Sequence, residues 1–148
     1  MRRGFSLLEV MIAAIILAFG LTAVITAMTQ AQKTMLASSY MGTAEEVMDM
    51  GEMAYPLDDV EDPSRDLDVS ETRVDDLWSK ISEERMTRRQ EEKFAGYTWS
   101  REWVNKNDDD GIKRLGGLHV VKITVKWGDD RRGHHEEAGY VTFWRPKE

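Results

Sequence analysis

Hydrophobic and polar positions divide the chain into three regimes. From Phe5 to Met28 there are 24 residues whose only charge is Glu9. As a helix at about 1.5 Å per residue this run reaches ~36 Å, enough to cross ~30 Å of hydrocarbon. Beyond it, apolar residues recur at Met28, Ala31, Met35, Ala44, Val47, Met48 and Ala54, close to helical spacing, and no proline occurs before Pro56. The pattern therefore predicts one helix from Phe5 to about Ala54, weakened locally by Gly42 and Gly51 and stopped at Tyr55-Pro56. Its first half, 5–28, reads as transmembrane, and 29–55 as an amphipathic continuation.

The second regime is polar. Residues from Leu57 through Asp68 read as an acidic surface loop with a turn at Asp62-Pro63. A helix is expected from Glu71 to about Arg88, capped by Ser70, with Val74, Leu77, Trp78 and Ile81 on one face. After Gly96 the period changes to two: Tyr97-Thr98-Trp99-Ser100-Arg101-Glu102-Trp103, Val121-Lys122-Ile123-Thr124-Val125-Lys126-Trp127 and Tyr140-Val141-Thr142-Phe143-Trp144 read as three strands of an antiparallel meander. The fold class is α+β, with a long N-terminal helix on a small antiparallel sheet spanning about 97–144 and a globular head over 56–148.

Charge narrows the function. The formal net charge is −7 over 148 residues, whereas nucleic-acid binding needs a basic face that releases counterions from phosphates. A nucleic-acid partner is excluded on that ground. From Asp58 to Asp76 nine acidic residues face only Arg65 and Arg73. There is no cysteine, so neither disulfides nor thiolate chemistry enter.

Arg2 and Arg3 precede the apolar run and no basic residue follows until Lys33, which leaves the first residues in the cytoplasm and the bulk of the chain outside it. A cleaved secretory signal would have a shorter apolar core and a small-x-small cleavage site. A twin-arginine signal suits neither the early carboxylate nor the strong hydrophobicity. A plain single-pass anchor explains length and orientation but not Glu9. An ionised carboxylate in a membrane helix costs about 3 kcal/mol, and no Lys, Arg or His elsewhere in the segment could pair with it. The compensating cation must come from another chain, or from a new amino terminus made by cutting this one.

Gly4-Phe5-Ser6-Leu7-Leu8-Glu9-Val10-Met11-Ile12-Ala13 resembles the class III signal of type IV pilins and type II secretion pseudopilins: a short basic leader ending in Gly, then Phe, with Glu fifth in the mature chain. The resemblance covers Arg2 to about Met28. It implies a leader over 1–4, cleavage between Gly4 and Phe5 by a membrane-embedded prepilin peptidase, and methylation of the new Phe5 terminus. It further implies that the chain is a minor pilin or minor pseudopilin, assembled with a major subunit and other minor subunits. The start, the small head and the absence of cysteine are most similar to the I-type pseudopilin of type II secretion or the PilV-type minor pilin. The implied location is the inner membrane with the head in the periplasm, and then a periplasmic pseudopilus or surface pilus.

In that setting Glu9 becomes a registry device. Side-by-side helices with an axial stagger would bring it to a neighbour's amino terminus, and a charge-assisted pair would form in low dielectric. Ala13, Ala14, Ala18, Gly20 and Ala23 would let helices approach closely, though ordinary membrane-helix composition explains them nearly as well. The alternative from a different class is a membrane-anchored extracytoplasmic binding domain that does not polymerise.

Other candidate chemistry falls away. Setting Gly111 at position six of a calcium loop puts Lys106 first and Gly117 where the bidentate Glu belongs, so Asn107-Asp108-Asp109-Asp110-Gly111 reads as a hairpin turn. The acidic segment 58–76 could collect calcium but reads first as solvated acid. His134 and His135, adjacent on a strand, point to opposite faces and do not readily share an ion. His119 has no evident nucleophile beside it. Met41, Met48, Met50 and Met53 read as adaptable core packing, and the strand tryptophans as sheet-face core. No enzymatic activity, cofactor or metal is expected.

Overall fold

The computed structural model describes residues 6–129 and 134–146. Helix α1 runs Leu7–Ala54, within two residues of the predicted span at its start and ending just before the Tyr55-Pro56 stop. The chain divides into two compact units, residues 1–40 and 41–148.

In the first unit the helix exposes its apolar side chains, among them Leu17, Phe19 and Leu21, and buries none of them. Its threonine hydroxyls are satisfied within the helix. The hydroxyls of Thr22, Thr26 and Thr29 each donate to the carbonyl four residues back, at 2.8, 2.9 and 2.9 Å. A threonine bonded in this way carries no unsatisfied donor into an apolar medium.

The second unit is built on a four-stranded antiparallel sheet in the order β1-β2-β3-β4: Val69–Arg73, Thr98–Trp103, His119–Asp129 and His134–Trp144. Alternation places Trp99, Arg101 and Trp103 of β2, with Val121, Ile123, Val125 and Trp127 of β3, on one face. The last turns of α1 cover one end of that face through Ala44, Val47 and Met50, together with Val74 and Leu77 of α3 (Val74–Ile81) and Phe94 of α4 (Arg88–Phe94). The other end is covered by Val60 and Leu67, which pack on Val121 and Trp144.

Gly51 has a packing reason. The Trp99 ring lies so close to the helix at this point that a β-carbon on residue 51 would overlap it, so the residue that weakens the helix locally is also the one that admits the largest fully buried side chain of the head. Tyr55 stacks on the same ring, with centroids 5.7 Å apart.

Four expectations are corrected. Ser70 does not cap a helix and Glu71 does not begin one: 69–73 is strand β1, with Thr72 opposite Trp99 and Arg73 opposite Thr98. Cross-strand pairing at the edge of the sheet outweighs the local pattern. The helical part starts at Val74, stops at Ile81, and resumes as α4 behind a capping box of Thr87 and Gln90.

The sheet accordingly has four strands and begins at Val69 rather than near Tyr97. The 107–111 segment is not a hairpin turn, because Asp108 caps a short helix α5, Asp109–Arg114, by accepting from the Gly111 amide at 2.8 Å. Of the four methionines read as core packing, Met48 and Met50 pack in the core, whereas Met41 and Met53 are exposed.

The acidic loop is a surface segment that also contributes to the core. A 3-10 turn at Leu57–Asp59 and helix α2, Pro63–Asp66, follow one another, with Asp62 as cap and Pro63 in the first turn. Their acids point outward while Val60 and Leu67 turn in.

Candidate functional site: the amino-terminal turn of the long helix

Gly4 and Phe5 lie outside the described residues. Glu9 sits in the first turn of α1. Its carboxylate accepts from the Ser6 backbone N–H at 2.9 Å, and the Ser6 hydroxyl accepts from the Glu9 N–H at 3.2 Å. This is a reciprocal capping box, which satisfies two of the donors that a helix start leaves open.

Glu9 therefore has a neutral partner within its own chain, one that a search for cations overlooks. The signal was present in Ser6-Leu7-Leu8-Glu9, since Ser-x-x-Glu ahead of an apolar run marks a helix start. The carboxylate is held at the amino-terminal end of the helix, where the macrodipole also favours a negative charge.

An 18-residue window of this helix has mean hydropathy 2.5 and none of it is buried. Such a surface is stable against lipid or other apolar helices. An apolar helix long enough to span a membrane that opens on a carboxylate, followed by a head formed on an antiparallel sheet, is a type IV pilin-like arrangement. The family comparison agrees at the same end: residues 1–25 match the prokaryotic N-terminal methylation motif, which implies processing by a prepilin peptidase. No curated protein and no solved structure matches the chain.

In the head, the residue that composition did not flag is Arg101. It is buried, and its guanidinium donates to three backbone carbonyls: Leu67 at 3.0 Å, Tyr55 at 2.6 Å and Asp66 at 2.9 Å. Burial pushes its pKa down, while Asp66, Asp68 and Glu52 pull it up; a guanidinium stays charged in either case. Arg101 thus ties the residue following α1 and the end of the acidic loop to the centre of the sheet.

Trp144 adds a bond from its indole N–H to the Leu57 carbonyl at 2.8 Å. Asp68 accepts from the Trp103 N–H at 2.6 Å and from Lys106 at 2.9 Å. Burial raises the Asp68 pKa, but these two bonds and the charges of Lys106 and Arg101 hold it below the ordinary value.

His119 packs between Trp103 and Trp144, with ring centroids at 4.8 and 5.5 Å. Its Nδ1 has no hydrogen-bond partner, and desolvation lowers its pKa. No nucleophile adjoins it in the described contacts, and among the described residues no group of three or more His, Asp or Glu is placed to hold a metal. The side chains of His134 and His135 lie outside the described set.

A cleft of about 690 Å³ opens beside β1 and α4. Among its charged side chains, Lys126 pairs with Glu71 at 3.2 Å, which also accepts from the Thr98 hydroxyl at 2.8 Å, and Arg73 pairs with Asp75 at 3.1 Å.

Proposed function

We propose that the chain is a minor subunit of a type II secretion pseudopilus or a type IV pilus, placed in a tip or initiation complex with other minor subunits and a major subunit. A prepilin peptidase cuts between Gly4 and Phe5, and the Phe5 amine is methylated. The observation that carries this reading is Glu9: a carboxylate held at the very start of an unburied apolar helix, five residues after a Gly-Phe junction inside a methylation motif.

The capping box refines how Glu9 would work. In the membrane its charge is eased by the Ser6 N–H but not neutralised, since that donor is uncharged. A neighbour's amino terminus at the right stagger would add the missing cation, and the resulting pair would be charge-assisted on both sides. Register follows, because an apolar helix displaced along the axis keeps its contacts with lipid but loses the ion pair. A head of this acidity, repeated along a filament, would repel itself, which favours a minor over a major role.

Intact mass of the protein from its native host tests the processing step. Loss of Met1 to Gly4 with one added methyl is the expected result; an unprocessed chain would favour the non-polymerising anchored binding domain. Assembly is tested by Glu9→Leu, which should enter the membrane at least as well as the parent yet drop out of sheared filaments by tenfold or more. Undiminished incorporation would overturn the pairing of Glu9 with a neighbour's terminus.

A further inference from the structure

The two edges of the sheet are built differently. Strand β1 has five residues, a register shift between Val69 and Thr72, and an acidic neighbourhood, all of which discourage a strand from adding to it. Strand β4 has eleven residues paired without a break to β3, and from Ala138 to Trp144 it carries no charge and no proline. Among the described residues nothing pairs with its outer side. Alternation puts Glu137, Gly139, Val141 and Phe143 on the sheet face turned away from α1, where Val141 and Phe143 are 55% and 57% exposed. Such an edge is a template for a further strand.

We propose that the outer edge of β4 takes up, antiparallel, an edge strand from the head of a different pilin-like subunit, one that sets a base opposite Glu137, an aromatic ring opposite Gly139 and an acid opposite Arg145. The inference rests on the reading of this chain as a subunit of a mixed assembly and names the surface through which it meets a neighbour. The groups that select the partner are unspent. Glu137 makes no ion pair among the described residues, its cross-strand neighbour Lys126 being engaged by Glu71. Arg145 uses one donor on the Gly116 carbonyl at 3.1 Å and retains others for a carboxylate. Gly139 has no side chain to cover its exposed backbone and tolerates none, since a β-carbon there would overlap the Ile123 carbonyl. A neighbour's ring across the strand supplies that cover, and opposite charges at the two ends fix the register.

Strand direction agrees with insertion from one membrane. Every neighbouring pair in the sheet is antiparallel, so β1 itself runs antiparallel to β4. A head of the same fold, displaced along the sheet without rotation, presents its first-strand edge antiparallel to β4. The helix segments covering the two sheets then lie on one face and run the same way.

A second copy of this chain does not fit the description. Its β1 edge arrives with segment 58–76, where nine acids face only Arg65 and Arg73. Head-to-tail contacts between copies do not close, so that acidity would recur at every step and repel.

The test has two arms, both on the full chain. In lipid vesicles, the probe is a labelled nine-residue peptide with blocked ends, in which threonines separate glutamate, valine, valine, tyrosine and lysine, in that order from the amino end. It should bind the parent, and Glu137→Arg combined with Arg145→Glu should weaken it at least tenfold. The same peptide with lysine and glutamate exchanged should bind that double variant and not the parent. In the native host, the protein has no cysteine, so Val141→Cys carries a single thiol-linked benzophenone, with the exposed Ser70→Cys on the β1 edge as control. Irradiation should give at least tenfold more adduct at 141, and mass spectrometry should find in it a different chain with a processed, methylated amino terminus. Equal binding of both peptides to the parent, adduct no higher than the control, or adduct only with copies of this chain would each overturn the proposal. Intact mass reads processing separately: a processed, methylated chain whose β4 edge stays silent sinks this inference alone, whereas an unprocessed chain sinks the subunit reading on which it rests.

Discussion

Residues 7–40 and 41–54 lie on one continuous helix, yet the first stretch exposes its apolar side chains and the second buries Ala44, Val47, Met50 and Gly51. Their three glycines make the contrast sharp. A β-carbon at Gly20 or Gly42 would meet nothing within 4 Å, whereas at Gly51 it would overlap the Trp99 indole. Helix geometry is the same at all three positions, so the difference lies in what the helix is packed against. A stretch without a partner in its own chain is available to lipid and to other helices; a stretch seated on a sheet is committed to the core.

The strongest way to break the committed half is to remove the cation that fastens the segment after α1 to the sheet. Arg101→Leu should cost the head about 3 kcal/mol, because one buried and two partly buried carbonyls lose their donor. Thermal melts should report that loss while membrane insertion of the helix stays unchanged.

Next comes the glycine comparison. Gly51→Ala should destabilise by about 1–3 kcal/mol through overpacking against Trp99, against a helix-propensity gain of about 1 kcal/mol. Gly42→Ala should show that gain alone, seen as a small rise in the same melt. If Gly51→Ala were also stabilising, the close approach of Trp99 to the helix would be wrong.

The smallest effect is in pH. An unfolded chain protonates His119 near pH 6.5, but desolvation means that the folded head does so only at lower pH. The unfolded state therefore binds the extra proton first, and the contribution of His119 to stability is complete above pH 6.5 and declines as pH falls below it. His119→Phe should flatten this part of the stability curve between pH 7 and 5; an unchanged slope would exclude His119 as its source.

Long-range order in the primary structure was legible where a periodicity ran unbroken. The 48-residue helix announces itself by apolar spacing and the absence of proline, and strands β2, β3 and β4 by alternation. Residues 69–73 did not, because Ser70-Glu71-Thr72 has no apolar alternation and becomes a strand only by lying beside Trp99 and Thr98. Asp108 to Arg114 misled in the opposite sense: turn-forming residues also cap helices, and Asp108 does so. At the amino terminus the Ser6-to-Glu9 capping box is written in the sequence in full as Ser-x-x-Glu, and its partner for the carboxylate is a backbone N–H rather than a cation. Arg101 gave no signal, since its alternation on β2 assigns it to the core face and a charge there reads as a break in the pattern rather than as a clamp.

The sequence alone determined the long apolar helix, the methylation motif at its start and the class of fold, because each depends on properties that accumulate along a local run: hydropathy, motif, period. Only the tertiary structure decided which glycine is indispensable, which buried charge fastens the acidic loop, and which edge of the sheet is open. Those depend on what lies opposite a residue across space, and a single chain read in order does not contain its own neighbours.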